Sequence, residues 1–369
     1  MSAARVNARI EEFRSRPPAQ ACILRLSAIG DTCHALPVVR TLQRAWRQTR
    51  LTWVIGKAEA SLMSGIDGVE LVELDKSAGA GGLLAVRRRL AGNRFDLLLM
   101  MHASMRANLT SLMIHADVRL GFDRARARDY QWLFSTTRIA ARPQEHVMDG
   151  LFGFAEALGI RERALRWDIP VSDDDRAFAE RCIPSGQRAL IISPCSSQRF
   201  RNYRNWRVEN YAALADHAAR AHQAIVVLTG GPTATEERYA DGICSLARND
   251  RPLNLVGKTT LKQLLALLGR ADALICPDSG PAHMATAVGT PVIGLYATSN
   301  RMRTGPYLSQ RWVVDHYPDA VRKEFGAEVD RLPWGTRVRD PNAMDLIRVE
   351  EVTARLDQLF ASLEAGNRK

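Results

Sequence analysis

The stretch Cys22-Ile23-Leu24-Arg25-Leu26-Ser27-Ala28-Ile29-Gly30-Asp31 decides the fold. Its first five residues read as a strand and the next as a short loop, and the chain then takes helical spacing through about Trp46. Strand, loop and helix in that order open a βαβ unit. Working outward, Leu51–Ile55, Val69–Leu74 and Phe95–Met101 read as further strands, and a helix carrying Arg106 follows the last of them. Continuous apolar strands separated by helices predict a parallel sheet covered on both faces. The pattern breaks near Val171–Asp175 and restarts, with strands at Ala189–Ser193, Ala224–Thr229, Leu253–Val256, Ala273–Cys276 and Pro291–Tyr296. Helices are expected at Trp206–Ala221, Thr235–Ala247, Leu261–Leu268 and from Pro281. A last helix, about Met344–Leu363, carries apolar residues at 346, 349, 352, 356 and 359, a stripe that must pack on something. The chain reads as two doubly wound α/β units in tandem, with ligands expected at the carboxyl edges of the strands.

Composition sets outer limits. A chain of 369 residues suggests about two domains at roughly 100–200 residues each. With 46% hydrophobic and 25% charged residues it is an ordinary globular sequence, not a disordered or collagen-like one. No apolar run reaches the ~18 residues of a spanning helix. The first 20 residues lack the apolar segment of a secretory signal and read as an N-terminal extension. Six cysteines, at 22, 33, 182, 195, 244 and 276, include no C-x-x-C pair. No zinc site or disulfide framework is expected, and a reducing cytoplasm fits. The net charge of +11 leaves nucleic acid, an anionic membrane surface and a phosphorylated substrate open as partners.

Four loops at strand ends hold the residues with chemistry. Asp31, just past Gly30, is either a helix-capping carboxylate or a general base in a cleft. The loop is not G-x-G-x-x-G, so a nicotinamide cofactor is not indicated. Asp278-Ser279-Gly280-Pro281-Ala282-His283 joins a strand to a helix. Pro281 suits a helix start, Gly280 removes a side chain where a ligand would approach, and the free N–H groups there bind phosphate well. Thr229-Gly230-Gly231-Pro232 with Glu236 and Glu237 reads as a turn and an acidic first helical turn, or as a carboxylate that accepts from a ribose or base. Ser193-Pro194-Cys195-Ser196-Ser197 leads into Arg199, Arg201, Arg204 and Arg207, a solvated loop or a phosphate-recognition segment. Asp173-Asp174-Asp175 after Ser172 is explained by a helix start rather than a metal site. Arg87-Arg88-Arg89 is a solvated helix face or a contact with anionic lipid.

Together these segments resemble the ADP-heptose:lipopolysaccharide heptosyltransferases, glycosyltransferase family 9. The resemblance runs over roughly residues 20–360. It is carried by Leu24–Asp31 with His34-Ala35-Leu36-Pro37, by Leu120–Arg124 and Arg126–Asp129, and by Arg204-Asn205-Trp206 through Leu214. Leu228–Pro232, Val256–Leu261, Asp278–His283 and Thr304-Gly305-Pro306-Tyr307 complete it. It implies a GT-B fold: an acceptor-binding Rossmann-like domain over 21–172, a nucleotide-sugar-binding one over 173–343 facing it across a cleft, and a C-terminal helix over 344–369 crossing back to the first. It implies transfer of a heptose from ADP-L-glycero-D-manno-heptose to the inner core of lipopolysaccharide, with inversion and without metal or cofactor. Asp31 is then the candidate base. Ser196, Arg204, Glu237, Thr259, Asp278, Ser279, Gly280 and His283 match the donor side, and Arg106, Arg124 and Arg128 are candidates for the anionic acceptor. The implied location is the cytoplasmic face of the inner membrane, met through basic patches such as Arg87–Arg89. The alternatives are a related GT-B transferase with another nucleotide sugar or glycan, and a non-catalytic nucleic-acid-binding protein. Against the latter, the basic residues are spread along the chain and no RNA- or DNA-binding signature is present.

Overall fold

The computed structural model describes residues 3–196, 202–249 and 251–366. Arg199 and Arg201 of the basic segment lie outside the described residues. The chain divides into two compact units at Pro170/Val171.

In the first unit the strands are β1 Gln20–Leu24, β2 Arg50–Gly56, β3 Val69–Leu74, β4 Phe95–Leu99, β5 Ala116–Gly121 and β6 Thr137–Arg138. The helices are α1 Ala3–Ser15, α2 Ile29–Ala45, α3 Lys57–Met63, α4 Gly79–Arg89, α5 Met105–Ser111 and α6 Val147–Ala157. The sheet runs β3-β2-β1-β4-β5-β6 and its pairings are parallel. β1 is central, which explains its unbroken apolar sequence: Ala21 to Leu24 are fully buried between two strands and two helical layers. Pro37 inside α2 has no N–H and so leaves the Cys33 carbonyl free. The Trp167 indole takes that vacant acceptor at 2.8 Å, and Arg40 Nε bonds Asp168 at 2.7 Å, so the segment before the unit boundary is stitched to α2. From Ala3 on, the N-terminal segment is more than an extension. α1 buries Val6 and Phe13 against β5 and β6, and Gln20 already begins β1.

In the second unit the strands are β7 Ala189–Ile192, β8 Ile225–Leu228, β9 Leu253–Asn254, β10 Ala273–Pro277, β11 Val292–Tyr296 and β12 Val314–Asp315. The helices are α7 Asp173–Cys182, α8 Val208–His222, α9 Ala234–Leu246, α10 Leu261–Arg270, α11 Gly280–Val288, α12 Arg301–Thr304, α13 Tyr317–Phe325 and α14 Val349–Gly366. The order β12-β11-β10-β7-β8-β9, again parallel, repeats the connectivity of the first sheet. The three aspartates 173–175 form the first turn of α7, with Ser172 accepting from the Asp175 N–H, as a helix start requires. The last helix begins at Val349, after a short turn of 3-10 helix at Ala343–Leu346. Its expected role was to cross back to the first unit. Its apolar stripe, Val352, Leu356, Leu359 and Phe360, lies in the core of the second unit, where it packs on α8, β11 and β12.

Candidate active site

Each sheet reverses its strand order once, between β1 and β4 in the first unit and between β7 and β10 in the second. Doubly wound sheets bind ligands in the crevice at that reversal, outside the carboxyl ends of the strands.

In the first unit the loop after β1 delivers Asp31 as the third residue of α2. Its Oδ2 accepts from the Ala28 N–H at 3.1 Å and pairs with Arg25 Nη2 at 2.6 Å. The carboxylate thus caps the helix start, and its side chain remains 34% exposed. Gly30 sits within the first helical turn, not in a left-handed turn. Arg25 is buried, and its Nη1 donates to the Met101 carbonyl at 2.6 Å, so the guanidinium bridges the ends of β1 and β4.

His102, just past β4, received no role from the sequence. Its Nδ1 accepts from the Leu26 N–H at 3.2 Å, which leaves the ring proton on Nε2. Burial, and secondarily the Arg25 charge, push its pKa down to about 3, so the ring is neutral. No sequence spacing links 25, 31 and 102. Only the parallel pairing of β1 with β4 brings them together.

Arg106 lies in α5, and Arg124 and Arg128 in the loop after β5. Asp129 ties these segments, accepting from the Met105 N–H at 2.8 Å through its carboxylate and from Asn108 Nδ2 at 2.7 Å through its carbonyl. The three arginines are exposed at the carboxyl edge of the sheet that bears Asp31.

In the second unit a polar network spans the reversal. The Ser196 N–H donates to Asn205 Oδ1 at 2.9 Å, and Asn202 Nδ2 donates to Ser196 Oγ at 2.7 Å. Arg204 Nε donates to Asn202 Oδ1 at 2.6 Å, and its Nη1 donates to the Asp278 carbonyl at 2.6 Å and carboxylate at 3.0 Å. Arg204 and Asp278 are both buried, so this is a closed, neutralised pair. Trp206 fastens the segment by donating its indole N–H to the Ile347 carbonyl at 2.9 Å and stacking edge-on with Tyr211.

Asp278 leads into α11. Ser279 is its N-cap residue, yet its hydroxyl makes no cap bond and is buried without a hydrogen-bond partner. Gly280 and Pro281 are the first two helical residues, and His283 is buried in the same turn. The result is a glycine-lined helix start where the Ala282 N–H turns back to the Ser279 carbonyl at 3.3 Å and the Gly280 N–H and the Ser279 hydroxyl are left to offer, the chemistry of an anion site.

The two glutamates separate. Glu236 is committed to its own loop, accepting from the Gly231 N–H at 2.8 Å and the Thr233 hydroxyl at 2.6 Å. Glu237 is exposed in the first turn of α9. Thr259 precedes the N-cap of α10, in a loop that Gly257 joins to Gly230 by a 3.0 Å backbone bond. Gly257 has φ +72, and a Cβ there would meet Pro232 Cα at 3.3 Å, so the close approach of these loops needs glycine. Among the described residues, one group of metal-ligating type occurs, His217, His222 and Asp357; it lies on α8 and α14, not at a strand end.

The sequence profile of glycosyltransferase family 9 (heptosyltransferase) matches residues 83–328. The chain belongs to this family. It is 42% identical over 342 residues to the lipopolysaccharide core heptosyltransferase OpsX of Haemophilus influenzae, covering 93% of this chain and 97% of that one. Its fold is shared with a family 9 glycosyl transferase of Veillonella parvula, at a TM-score of 0.76 and 22% identity over 93% of this chain and 98% of that one. It is shared too with the Escherichia coli ADP-heptose lipopolysaccharide heptosyltransferase II, at a TM-score of 0.70 and 20% identity over 94% and 99%. This family 9 chain is thus a glycosyltransferase of GT-B architecture, built on two Rossmann-like units.

Proposed function

We propose that this family 9 enzyme transfers a heptose from ADP-L-glycero-D-manno-heptose to the inner core of lipopolysaccharide in one inverting displacement, with Asp31 as general base. The kinship with a lipopolysaccharide core heptosyltransferase supports the substrates. The observation that carries the base is a partly exposed carboxylate fixed at the strand-order reversal of the first sheet. Inversion in one step needs a base on the acceptor hydroxyl and relief of charge on the departing ADP. Asp31 takes the hydroxyl proton as the new glycosidic bond forms and the bond from anomeric carbon to phosphate oxygen breaks. Arg25 and the Ala28 N–H hold the carboxylate in place.

On the donor side, the α11 amides and the Ser279 hydroxyl meet the pyrophosphate. Arg204 is first of all the partner of Asp278, keeping a buried carboxylate from repelling the phosphates, so the helix start carries the larger share of charge relief. Ser196 steadies Arg204 through Asn202. Glu237 and Thr259 are assigned to the nucleoside and sugar, and His283 to the floor of the site. Arg106, Arg124 and Arg128 are assigned to the anionic acceptor, in a reading that gives nucleic acid no part. Among the described residues no helix is long and apolar enough to cross a membrane, and we assign the enzyme to the cytoplasmic face of the inner membrane as a peripheral protein.

The test is to incubate the protein with ADP-heptose, beside UDP- and GDP-sugars, and a panel of truncated lipopolysaccharide cores, and to weigh the products. Asp31→Asn should lose about 10²–10⁴-fold in turnover, the range of a general base, while ADP binding by calorimetry is retained. Full activity in that variant removes Asp31 from the mechanism, and turnover of a different nucleotide sugar replaces the donor.

A further inference from the structure

α5 is built inside out. Its buried residues are Ala107, Asn108, Thr110 and Ser111, whereas Met105, Leu109 and Leu112, spaced i, i+4 and i+7, stand 42%, 42% and 55% exposed. The polar inner face is satisfied locally: Asn108 Nδ2 donates to the Asp129 carbonyl, Thr110 Oγ1 to the Arg106 carbonyl at 2.7 Å and Ser111 Oγ to the Asn108 carbonyl at 2.6 Å. The helix therefore does not hold its place by burying its leucines. Beside it, the loop after β5 turns Tyr130 outward on a left-handed backbone (φ 59) and also exposes Trp132 and Leu133. Six of the thirteen exposed large apolar side chains of the described residues thus lie within 105–133, on two segments that Asp129 binds together. A soluble surface scatters such residues singly, and a contiguous group marks an interaction site.

The group is rimmed by positive charge. Arg106, Arg124 and Arg128 are exposed, and Arg124 lies over the Trp132 ring at 5.9 Å. The acids nearest in sequence are engaged, Asp129 with the Met105 N–H and Asp123 with Arg126. The neighbouring helix α4, packed on α5, exposes Leu84; its last residue, Arg89, pairs with Glu70 at the amino end of β3, on the other edge of the sheet. Leucine and methionine to insert, tryptophan and tyrosine for the headgroup level, and arginines for phosphates match an anionic bilayer surface.

We propose that α5 and the 122–134 loop dock the enzyme on an anionic phospholipid bilayer, the apolar residues entering the interface and the arginines meeting lipid phosphates. This rests on the reading of a membrane-anchored acceptor and adds where the membrane is met: at the carboxyl edge of the sheet that presents Asp31, so that an acceptor sugar rising from the lipid arrives beside the base.

The test is flotation of the full chain, without donor or acceptor, on phosphatidylglycerol-rich and on pure phosphatidylcholine vesicles. Wild type should bind the former, less at high salt, and Leu112→Ser/Leu133→Ser should bind about tenfold more weakly. Leu253→Ser/Phe325→Ser, which removes exposed apolar groups of the other unit, should bind like wild type. Unchanged circular dichroism and unchanged turnover of a water-soluble core acceptor show the first variant is folded. Equal binding by wild type and Leu112→Ser/Leu133→Ser, equal loss in both variants, or no binding to anionic vesicles overturns the proposal. So does a concentration-dependent dimer of wild type that Leu112→Ser/Leu133→Ser abolishes, which assigns the face to a second copy. Absence of heptose transfer with vesicle binding intact would instead strike only the proposed reaction.

Discussion

Arg25 and Arg204 play matching parts in their two units. Each is a buried guanidinium at a strand-order reversal, paired with an aspartate that begins or precedes a helix. Such pairs add little net stability, but removing one partner strands a buried charge. Arg204→Ala leaves Asp278 uncompensated, so it should cost about 3–5 kcal/mol in denaturant unfolding and weaken ADP binding by calorimetry. A stable variant that binds ADP normally would show that Asp278 does not depend on it. His102 makes a second residue-scale prediction. Its pKa, brought from 6.5 to about 3 mainly by burial, means that between these values the unfolded chain binds the extra proton and the native one does not. Stability contributed by the neutral ring is present above pH 6.5 and is lost as pH falls toward 3, at a limiting slope of about 1.4 kcal/mol per unit. His102→Asn keeps an acceptor for the Leu26 N–H and does not titrate. Its stability should therefore fall less steeply than wild type between pH 6 and pH 4 (roughly the window of that slope), measured as denaturant midpoints. Parallel curves would remove the assignment. Asp31 and Asp278–His283 were legible in the sequence because they follow apolar strands and open helices. Arg25 and His102 were not, because each takes its meaning from a strand neighbour some 76 residues away.

Among the elements, α1 shows what periodicity misses. Its sequence is rich in charge and carries few apolar residues, so it reads as a tail. Yet Phe13 is 1% exposed, with Arg9 over its ring at 5.1 Å, and Arg9 and the Ala19 N–H both bond Asp96 at the start of β4. A few well-placed apolar residues and one bridging carboxylate dock the helix. Phe13→Ala should cost about 3–5 kcal/mol and raise proteolysis ahead of β1. Cleavage and unfolding like those of wild type would return the segment to the status of an extension. The central strands β1, β7 and β10 were legible to within two residues because burial on both faces forces apolar runs. The edge strands β6 and β12, two residues each, were not, because they leave no periodic trace. The turn at Ala343–Leu346 likewise hid the true start of the last helix, since its Leu346 extends the apolar stripe without belonging to α14.

At the scale of the molecule, each sheet carries its own hydrophobic core, and the residues proposed for the donor side, Ser196, Arg204, Glu237, Thr259, Asp278, Ser279, Gly280 and His283, all belong to the second unit. That core includes α14 through Val352, Leu356, Leu359 and Phe360, and α14 is held further by Asp357, which accepts from His217 at 2.6 Å and His222 at 2.5 Å on α8. On the proposed donor assignment, a unit with its own core and the α11 helix start contains what nucleotide binding needs. The segment from Val171 to the last residue, expressed alone, should therefore unfold cooperatively and bind ADP within about tenfold of the full chain, a difference of no more than about 1.4 kcal/mol. It should transfer no sugar, because the proposed base, Asp31, is in the other unit. Thermal unfolding and calorimetry on the fragment decide between three physical pictures. A folded fragment that binds ADP locates the affinity in the second unit. A folded fragment that does not bind requires contacts from the first. A fragment that fails to fold means that the second core is completed only in the full chain.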